Sequence, residues 1–328
     1  MRSDDLRYHI ASLVAVFLAL GIGIFIGTAF VGAPVVERRI NTLNRILADK
    51  LTELARRTDE ANKNEEALSA LVPSLVGGKL AGRSVLLVRT GDYAEAVRDT
   101  QTVLETAGAR VTGVLTLPAE GWGRERAGAE NELAALAVAL LNPSREETTP
   151  GAVLVDTLRR EGRLSGDVPV AEVPPARLVV LVAGVQGPPF PPPGRAAGPV
   201  SPREAQARAQ ADERAALVAR MNERLAKAFM DDGAAVVVGA EPWTADRSSI
   251  AAFQAADVPS VDCIDRAAGQ IALVFALRGD KGAFGLKPTA ERVLPESALA
   301  VAAAHPPVAA PAPNTPAAPA GTGGASRP

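Results

Sequence analysis

The side chains able to carry soft-metal or nucleophilic chemistry are few in this chain. Its one cysteine, Cys263, lies far in sequence from both histidines, His9 and His305. A cysteine nucleophile needs a base to activate it, and copper(I) prefers thiolate or thioether ligands held together. The methionines are Met1, Met221 and Met230. None of these residues has the spacing of a metal-ligand pair, so the sequence favours structural roles for Cys263 and for the internal methionines.

Carboxylates form a second group, at the ends of the predicted strands. They are Asp92, Glu241, Asp262 and Asp265. Ligands of an open parallel sheet bind beyond the carboxyl ends of its strands, so an acid–base pair or a hard-metal site is one interpretation. Helix caps and turns explain the same residues more simply, with Asp92 as the N-cap of a helix. Gly184-x-x-Gly187 leads into prolines rather than a helix, which argues against a phosphate-binding loop.

These residues are positioned by strands that alternate with helices. Apolar runs predict strands at 83–90, 109–117, 177–184, 234–241 and 258–264. The segments between and after them predict helices at 92–108, 124–142, 150–161, 203–232, 248–256 and 267–279. Continuous Val and Leu strands interleaved with helices indicate a three-layer α/β domain with a largely parallel sheet, over residues 73–295. A proline-rich extended loop is predicted at 184–202, and a disordered Ala/Pro-rich tail at 296–328.

The N-terminal segment has the length of a membrane span. No residue from Ile10 to Val36 is charged, and a helix needs about 20 apolar residues to cross a bilayer. We predict a short flank at 1–9 and an uncleaved transmembrane helix at 10–33, with a cleaved signal or a buried helix as alternatives. Gly23 and Gly27 have the spacing that allows close packing of membrane helices.

Residues 34–72 follow as a long helix with an apolar repeat. Ile40, Leu47, Leu54, Ala61 and Leu68 recur every seven residues, and Leu51 falls one residue later than a strict repeat requires. This pattern predicts a coiled coil, and two chains leaving one membrane would pair in parallel as a homodimer. The predicted dimer stalk is Ile40, Leu43, Leu47, Leu54 and Leu68. The alternative is a long helix packed on its own domain.

Composition and charge restrict the partners. The formal net charge of −2 gives no reason to expect nucleic acid, and one cysteine excludes an internal disulfide. Lys and Arg before the apolar span are outnumbered by those after it. They are Arg2 and Arg7 before it, and Arg38, Arg39, Arg45 and Lys50 after it. Counted alone, these charges would keep the C-terminal part inside the cell.

Two stretches resemble a known family. RYHIASLVAVFLALGIGIFIGT at 7–28 and VPSVDCIDRAAGQIALVFALRGDKGAFGLKPTAERVLP at 258–295 resemble the N-terminal and C-terminal signatures of the MctB-like copper transporter family. Phe284-Gly285 stand where the second signature has Tyr-Gly. The resemblance implies an outer-envelope protein that limits intracellular copper, with its globular domain outside. A related branch, SteB, is a dimeric extracytoplasmic partner in cell separation that acts on the regulation of a peptidoglycan hydrolase.

These observations give two function hypotheses. The first is a membrane-anchored, non-enzymatic envelope protein in copper transport or homeostasis, with copper implied by the resemblance alone. One transmembrane helix cannot enclose a polar path, so conduction would need an oligomer. The second is a dimeric extracytoplasmic scaffold that regulates cell separation through an envelope protein partner. An enzyme ranks third, and no catalytic or cofactor-binding residue is predicted.

Overall fold

The computed structural model describes residues 3–31, 33–122, 128–170, 174–188, 201–231 and 235–304. Within these ranges, side chains are described for Tyr8–Ile26 and from residue 42 onward, apart from Ala129. The chain divides into two compact units, residues 1–66 and residues 67–328.

Helix α1, Ser3–Val31, lies in the first unit. Within the described residues it is the one helix long and apolar enough to cross a membrane, over Tyr8–Ile26, and none of that stretch is buried. The predicted apolar N-terminal helix is confirmed, and it is compatible with a single-pass anchor. A Cβ on Gly23 would meet no atom within 4 Å, whereas the surroundings of Gly27 lie outside the described side chains.

Helix α2, Ala33–Val76, runs four residues past the predicted end at 72. Proline lacks an N–H and normally breaks a helix interior, yet Pro73 lies inside this last turn. The helix then ends at Gly77 and Gly78, where φ of +70° at Gly78 suits glycine. Because Val72 and Val76 are buried in the core of the second unit, packing holds this final turn in place.

The predicted stalk residues of α2 are exposed. Leu43, Leu47 and Leu54 are 58%, 58% and 59% exposed, and Leu68 is 45% exposed. The side chain of Ile40 lies outside the described ones. Charges on another face pair within the helix, as in the contacts of Arg57 and Arg56 with Glu53. An apolar stripe on a polar helix is what a coiled coil needs, and the coiled coil itself stays a prediction.

The second unit contains a seven-stranded sheet in the order β3-β2-β1-β4-β5-β6-β7. Its strands are β1 Ser84–Arg89, β2 Arg110–Thr116, β3 Ser165–Asp167, β4 Leu178–Val182, β5 Val236–Ala240, β6 Ser260–Val261 and β7 Ala283–Phe284. All neighbours are parallel except β2 and β3, which are antiparallel. The largely parallel sheet is confirmed, while the short edge strands β3 and β7 had no counterpart in the sequence prediction.

Helices cover both faces of the sheet. They are α3 Ala94–Thr106, α4 Ala129–Leu141, α5 Pro150–Arg160, α6 Pro202–Met230, α7 Ile250–Ala255, α8 Ala267–Leu277 and α9 Glu296–Ala304. Alternate side chains of β1 point to opposite faces. Val85 and Leu87 pack with the end of α2 and with α3, α8 and α9. Leu86 and Val88 pack with α4–α7. The second unit therefore has three layers.

Helix α9 corrects the predicted tail. Its Ala/Ser composition led to a prediction of disorder from residue 296, but Glu296–Ala304 is helical. Ala298 is buried, and Leu294 and Val301 pack against the same core, so tertiary contacts supply the order that composition does not indicate. The remaining tail, 305–328, lies outside the described residues, as do 189–200 of the predicted proline-rich loop. Helix α6 begins beyond that loop with a capping box between Ser201 and Glu204.

Candidate functional site

The carboxyl edge of the sheet between β1 and β4 is where a parallel α/β fold would place a ligand. Chain order reverses there, because β2 lies on one side of β1 and β4 on the other. Two loops meet at this point. The N–H groups of Thr90 and Gly91 donate to the Val182 carbonyl at 2.9 and 3.2 Å. A Cβ on Gly91 would collide with the Gly184 carbonyl, so the chain's own backbone fills the base of the crevice.

Asp92 ties this crevice to helix α6. Its carboxylate accepts from the Gln186 N–H at 2.9 Å and from the Arg214 guanidinium at 2.7 Å. Arg214 also pairs with Glu120. Asp92 does not cap α3, because that helix begins at Ala94 and its N-cap position is Tyr93, with no side-chain capping bond. The predicted N-cap role of Asp92 is therefore wrong, and the residue instead links loops distant in sequence.

The Gly184–Gly187 loop has its amide donors occupied in the same way. The Gly187 N–H donates to Asp246 at 3.0 Å. The Asp246 N–H in turn donates to the Tyr93 hydroxyl oxygen at 3.2 Å, and the Tyr93 hydroxyl donates to the Thr244 carbonyl at 2.9 Å. Burial raises the pKa of Tyr93, so its hydroxyl stays protonated. Amides that would hold a phosphate in a nucleotide-binding loop here hold carboxylates of this chain.

The carboxylate after β5 forms a buried ion pair. Glu241 is fully buried, and it accepts from Lys287 Nζ at 2.7 Å and from the Ser249 N–H at 2.7 Å. Burial raises the pKa of Glu241, and the Lys287 ammonium opposes that rise. Lys287 also donates to the Pro242 carbonyl at 3.2 Å. This pair fastens the loop after β7 to the end of β5.

The other two predicted acids hold turns. Asp262 accepts from the Leu286 and Lys287 N–H groups at 2.8 and 3.0 Å, and Asp265 accepts from the Trp243 N–H. A Cβ on Gly285, where φ is +144°, would collide with Asp262. Asp262 and Asp265 therefore accept hydrogen bonds from backbone N–H groups of neighbouring loops, in agreement with the prediction that these two acids stabilise turns.

The residues that could be soft-metal ligands are spread over several elements of the structure. Cys263 is buried after β6, Met221 is buried on the core-facing side of α6, and Met230, the last residue of α6, is partly buried against the same core. His9 is exposed on α1, and His305 lies outside the described residues. Across the described ranges, no three His, Cys, Asp or Glu side chains are grouped so that they could hold a metal ion.

We expect Cys263 to resist thiol reagents while the protein is folded. Burial, together with the neighbouring Asp262 carboxylate, raises the pKa of the Cys263 thiol, so little reactive thiolate forms even at mildly alkaline pH. Alkylation at about pH 8 should be at least about 100-fold slower in the native chain than in urea. Mass spectrometry of timed samples measures both rates. Comparable rates would contradict the buried placement.

Sequence reasoning missed the cations of this edge. Arg214 lies within a long charged helix and Lys287 follows Phe284-Gly285 in the C-terminal signature. One indirect indication of a contact made by Lys287 was present in the sequence, because the C-terminal signature includes both Asp262 and Lys287. Their contacts span 122 residues for Arg214 with Asp92 and 46 residues for Lys287 with Glu241.

A separate groove of about 860 Å³ lies on the α4–α5 side of the sheet. It is lined mainly by small and apolar side chains, including the exposed Val138 and Val153, with Arg159 and Asp156 among its polar residues. Its volume is typical of ligand pockets. Its lining shares no residue with the acids of the carboxyl edge, so it is not part of that network.

Comparison with known proteins gives consistent matches. A family model described as "Copper transport outer membrane protein, MctB" matches residues 5–134 and 123–295. Proteins named "Copper transporter MctB" from Mycobacterium bovis and Mycobacterium tuberculosis are 31% identical over 124 residues. That alignment covers 35% of this chain and 38% of each relative. The matched part thus spans well under half the length of these relatives.

Proposed function

Since the chain belongs to the MctB family of copper transport outer membrane proteins, we propose that it is a non-enzymatic envelope protein, anchored by α1, with a role in copper transport or homeostasis. The observation that carries this proposal is the family match, which reaches from the apolar N-terminal helix through all seven strands of the sheet to residue 295. The α/β unit then lies on the outer side of the membrane.

The carboxyl edge of the sheet supports a role without catalysis. Catalytic acids and bases need a cleft that admits substrate. Here Glu241 and Asp262 are fully buried and bonded to Lys287 and to loop amides. A binding or scaffolding domain uses such a network to hold its surface loops in place.

The anchor limits how copper transport could operate. A single helix satisfies its own backbone hydrogen bonds but encloses no path for an ion. A direct conduit therefore needs several copies assembled through α1, and an indirect role needs a partner in the envelope. We propose the indirect role, because no group of three His, Cys, Asp or Glu side chains that could hold a metal ion is found among the described residues.

The copper-related role is tested in cells of the source organism that lack the protein. We expect those cells to accumulate more copper in copper-supplemented medium, and the full chain to restore the normal content. A chain without residues 1–31 should not restore it, because the α/β unit would lose its place at the membrane. Unchanged copper content in the deletion strain would count against the proposal.

A direct binding measurement separates the indirect role from a copper-binding one. We expect the purified full chain to bind copper(I) no more tightly than about micromolar, since soft ligands such as Cys263 and Met221 are not paired. Competition with a chromogenic chelator gives the dissociation constant. Submicromolar binding that Cys263→Ser or Met221→Leu abolishes would contradict this expectation.

The proposed orientation predicts where the tail is accessible. A cysteine introduced as Ser326→Cys should react with a membrane-impermeant maleimide on intact cells, because the buried Cys263 gives little background. The same variant in lysed cells provides the reference labelling. Labelling only after lysis would place the α/β unit inside the cell and so support the Lys/Arg count instead.

The second candidate function is a dimeric extracytoplasmic scaffold for cell separation. The exposed leucine stripe of α2 favours it, because exposed Leu43, Leu47 and Leu54 are suited to a partner helix. Capture of a regulator of peptidoglycan hydrolysis from envelope extracts would support it. In that case the deletion strain should form unseparated cells with normal copper content.

A further inference from the structure

We propose that Pro73 makes a hinge near the C-terminal end of α2, at the point where this helix becomes part of the core of the second unit. The segment of α2 before Val72 can bend there relative to the last turn, while that turn stays packed. The inference needs neither copper nor a second chain, because it rests on the backbone and the packing of one chain.

Burial along α2 changes abruptly at Val72. None of the α2 side chains described from residue 42 to residue 71 is buried, and Leu68 and Leu71 are 45% and 52% exposed. Val72 and Val76 are only 4% and 0% exposed, and both belong to the core that includes side chains of β1, α3 and α8. Val72 is therefore the first of the described α2 side chains that packing holds in the α/β core.

A backbone hydrogen bond of the helix is missing at the same place. In an α-helix each N–H donates to the carbonyl four residues earlier. Pro73 has no N–H, so the Ser69 carbonyl lacks its helical donor, and the proline ring also crowds that carbonyl. Ser69 is exposed, whereas Pro73 lies in the turn between the buried Val72 and Val76. The missing bond is thus one that would join the exposed part of α2 to its packed turn.

A serine next to the proline adds to this effect. The Ser74 hydroxyl donates to the Leu71 carbonyl at 2.7 Å. Serine side chains that bond back to the helix backbone compete with the regular hydrogen bonds and often bend a helix. Sharp bends in long helices are found almost always at proline or at similar local interruptions of the hydrogen-bond ladder. Residues 69–74 therefore combine two features that favour bending.

The backbone on both sides of this point is well supported. The Gly77 N–H donates to the Pro73 carbonyl at 2.9 Å, and the Leu80 N–H donates to the Ala107 carbonyl at 2.8 Å. A Cβ on Gly77 would lie 2.7 Å from the Pro73 carbonyl oxygen, so this close approach requires glycine. Upstream, α2 is continuous from Ala33 and has ion pairs within the helix. Bending is therefore confined to the few residues between these supported segments.

A hinge of this kind changes what the α/β unit can reach. Hinges are typically a few residues at the end of an element that absorb a change in backbone dihedral angles while the packed parts move as rigid bodies. If α1 is the anchor, as proposed above, bending at Pro73 gives the surface loops of the α/β unit a range of orientations from a fixed point. This consequence rests on the proposed anchor, whereas the hinge itself does not.

The distance distribution between two spin labels measures the hinge in the full chain in mild detergent. Asn62→Cys lies on the exposed part of α2 and Lys281→Cys on the α/β unit, and both native side chains are exposed. Asn131→Cys with Lys281→Cys gives a reference pair that lies wholly within the α/β unit. The labelled chain is diluted into unlabelled chain, so that only distances within one chain are recorded, and the native Cys263 is buried.

Pro73→Ala is the test variant, because alanine supplies the N–H that the Ser69 carbonyl lacks as a partner. Ser69→Ala is the matched control, since it replaces an exposed residue one turn earlier, favours helix in the same way and adds no N–H. We expect Pro73→Ala to narrow the distribution of the spanning pair at least about twofold and to leave the reference pair unchanged. Backbone amides of residues 67–77 should also exchange with deuterium about tenfold more slowly in this variant.

Three results would overturn the hinge. If the native chain gives a distribution for the spanning pair as narrow as that of the reference pair, the junction is already rigid. If Pro73→Ala leaves the width of the spanning pair and the amide exchange unchanged, the missing bond does not control bending. If Ser69→Ala narrows the distribution as much as Pro73→Ala does, helix propensity determines the bending instead of the proline.

Discussion

Replacing Lys287 by methionine is expected to lower the free energy of unfolding of the α/β unit by about 3–5 kcal/mol. Lys287 is the cation that neutralises the fully buried Glu241, at 2.7 Å. Methionine fills a similar volume but leaves a carboxylate buried without its counter-charge. Removing one partner of a buried pair costs more than the pair itself contributes, because the remaining charge stays desolvated.

The loss should depend on pH in a defined direction. Burial already raises the pKa of Glu241 above its ordinary value of 4.5, and the Lys287 charge is the main opposing influence. Without that charge, the pKa of folded Glu241 rises further above its value in the unfolded chain. Folding then requires a proton to be bound, so the variant loses stability as pH rises above the ordinary carboxyl pKa of 4.5.

Urea unfolding of the full chain in mild detergent measures this effect through Trp122 and Trp243, which both lie in the α/β unit. Lys281→Met removes an exposed lysine and should change stability by less than about 0.5 kcal/mol. Adding Glu241→Gln to Lys287→Met should recover much of the loss, because the amide oxygen still accepts from Ser249. A double variant as unstable as Lys287→Met alone would show that packing, and not the buried charge, determines the loss.

The central strands could be predicted because strands buried on both faces are continuous runs of apolar residues in the sequence. β1 and β4 lie in the middle of a parallel sheet, so both faces are covered and the strands are continuous runs of Val and Leu. β3 consists of Ser165–Asp167, all exposed at the sheet edge. β7 has two residues and is held by its neighbours. Neither contains enough apolar residues for a periodic signal.

The partners at the carboxyl edge were less predictable than the acids themselves. Asp92 was visible as a polar residue after a buried strand, but a local pattern favours the adjacent helix as its partner. Its actual contacts, Gln186 and Arg214, lie 94 and 122 residues away. Helices α3–α5 and strands β2–β4 lie between Asp92 and these partners in the chain. Only the folded sheet therefore brings the three residues together. Local propensity contains no information about such contacts.

The second large effect is expected in the stalk, where Leu47→Lys should weaken dimerisation of residues 37–304 by on the order of a hundredfold or more. Leu47 lies on the exposed apolar stripe of α2, with 58% of its surface accessible. In a parallel pair the two Leu47 side chains meet, and burying a leucine is worth roughly 1.5–3 kcal/mol per chain. Lysine loses that burial and brings two ammonium groups together. The fragment extends to 304 because Ala298 of α9 is part of the core.

Sedimentation across a range of concentrations measures the dissociation constant of each form. Arg56→Ala is the matched control on the same helix, because Arg56 is exposed and contacts Glu53 and Glu60 of its own chain. Its effect should stay within about 0.5 kcal/mol. A native fragment that is monomeric at high micromolar concentration would mean that the stalk does not dimerise by itself. If Leu47→Lys dimerises as well as Arg56→Ala, the contact belongs to the α/β unit, since a seam through Leu47 cannot tolerate a lysine in every copy.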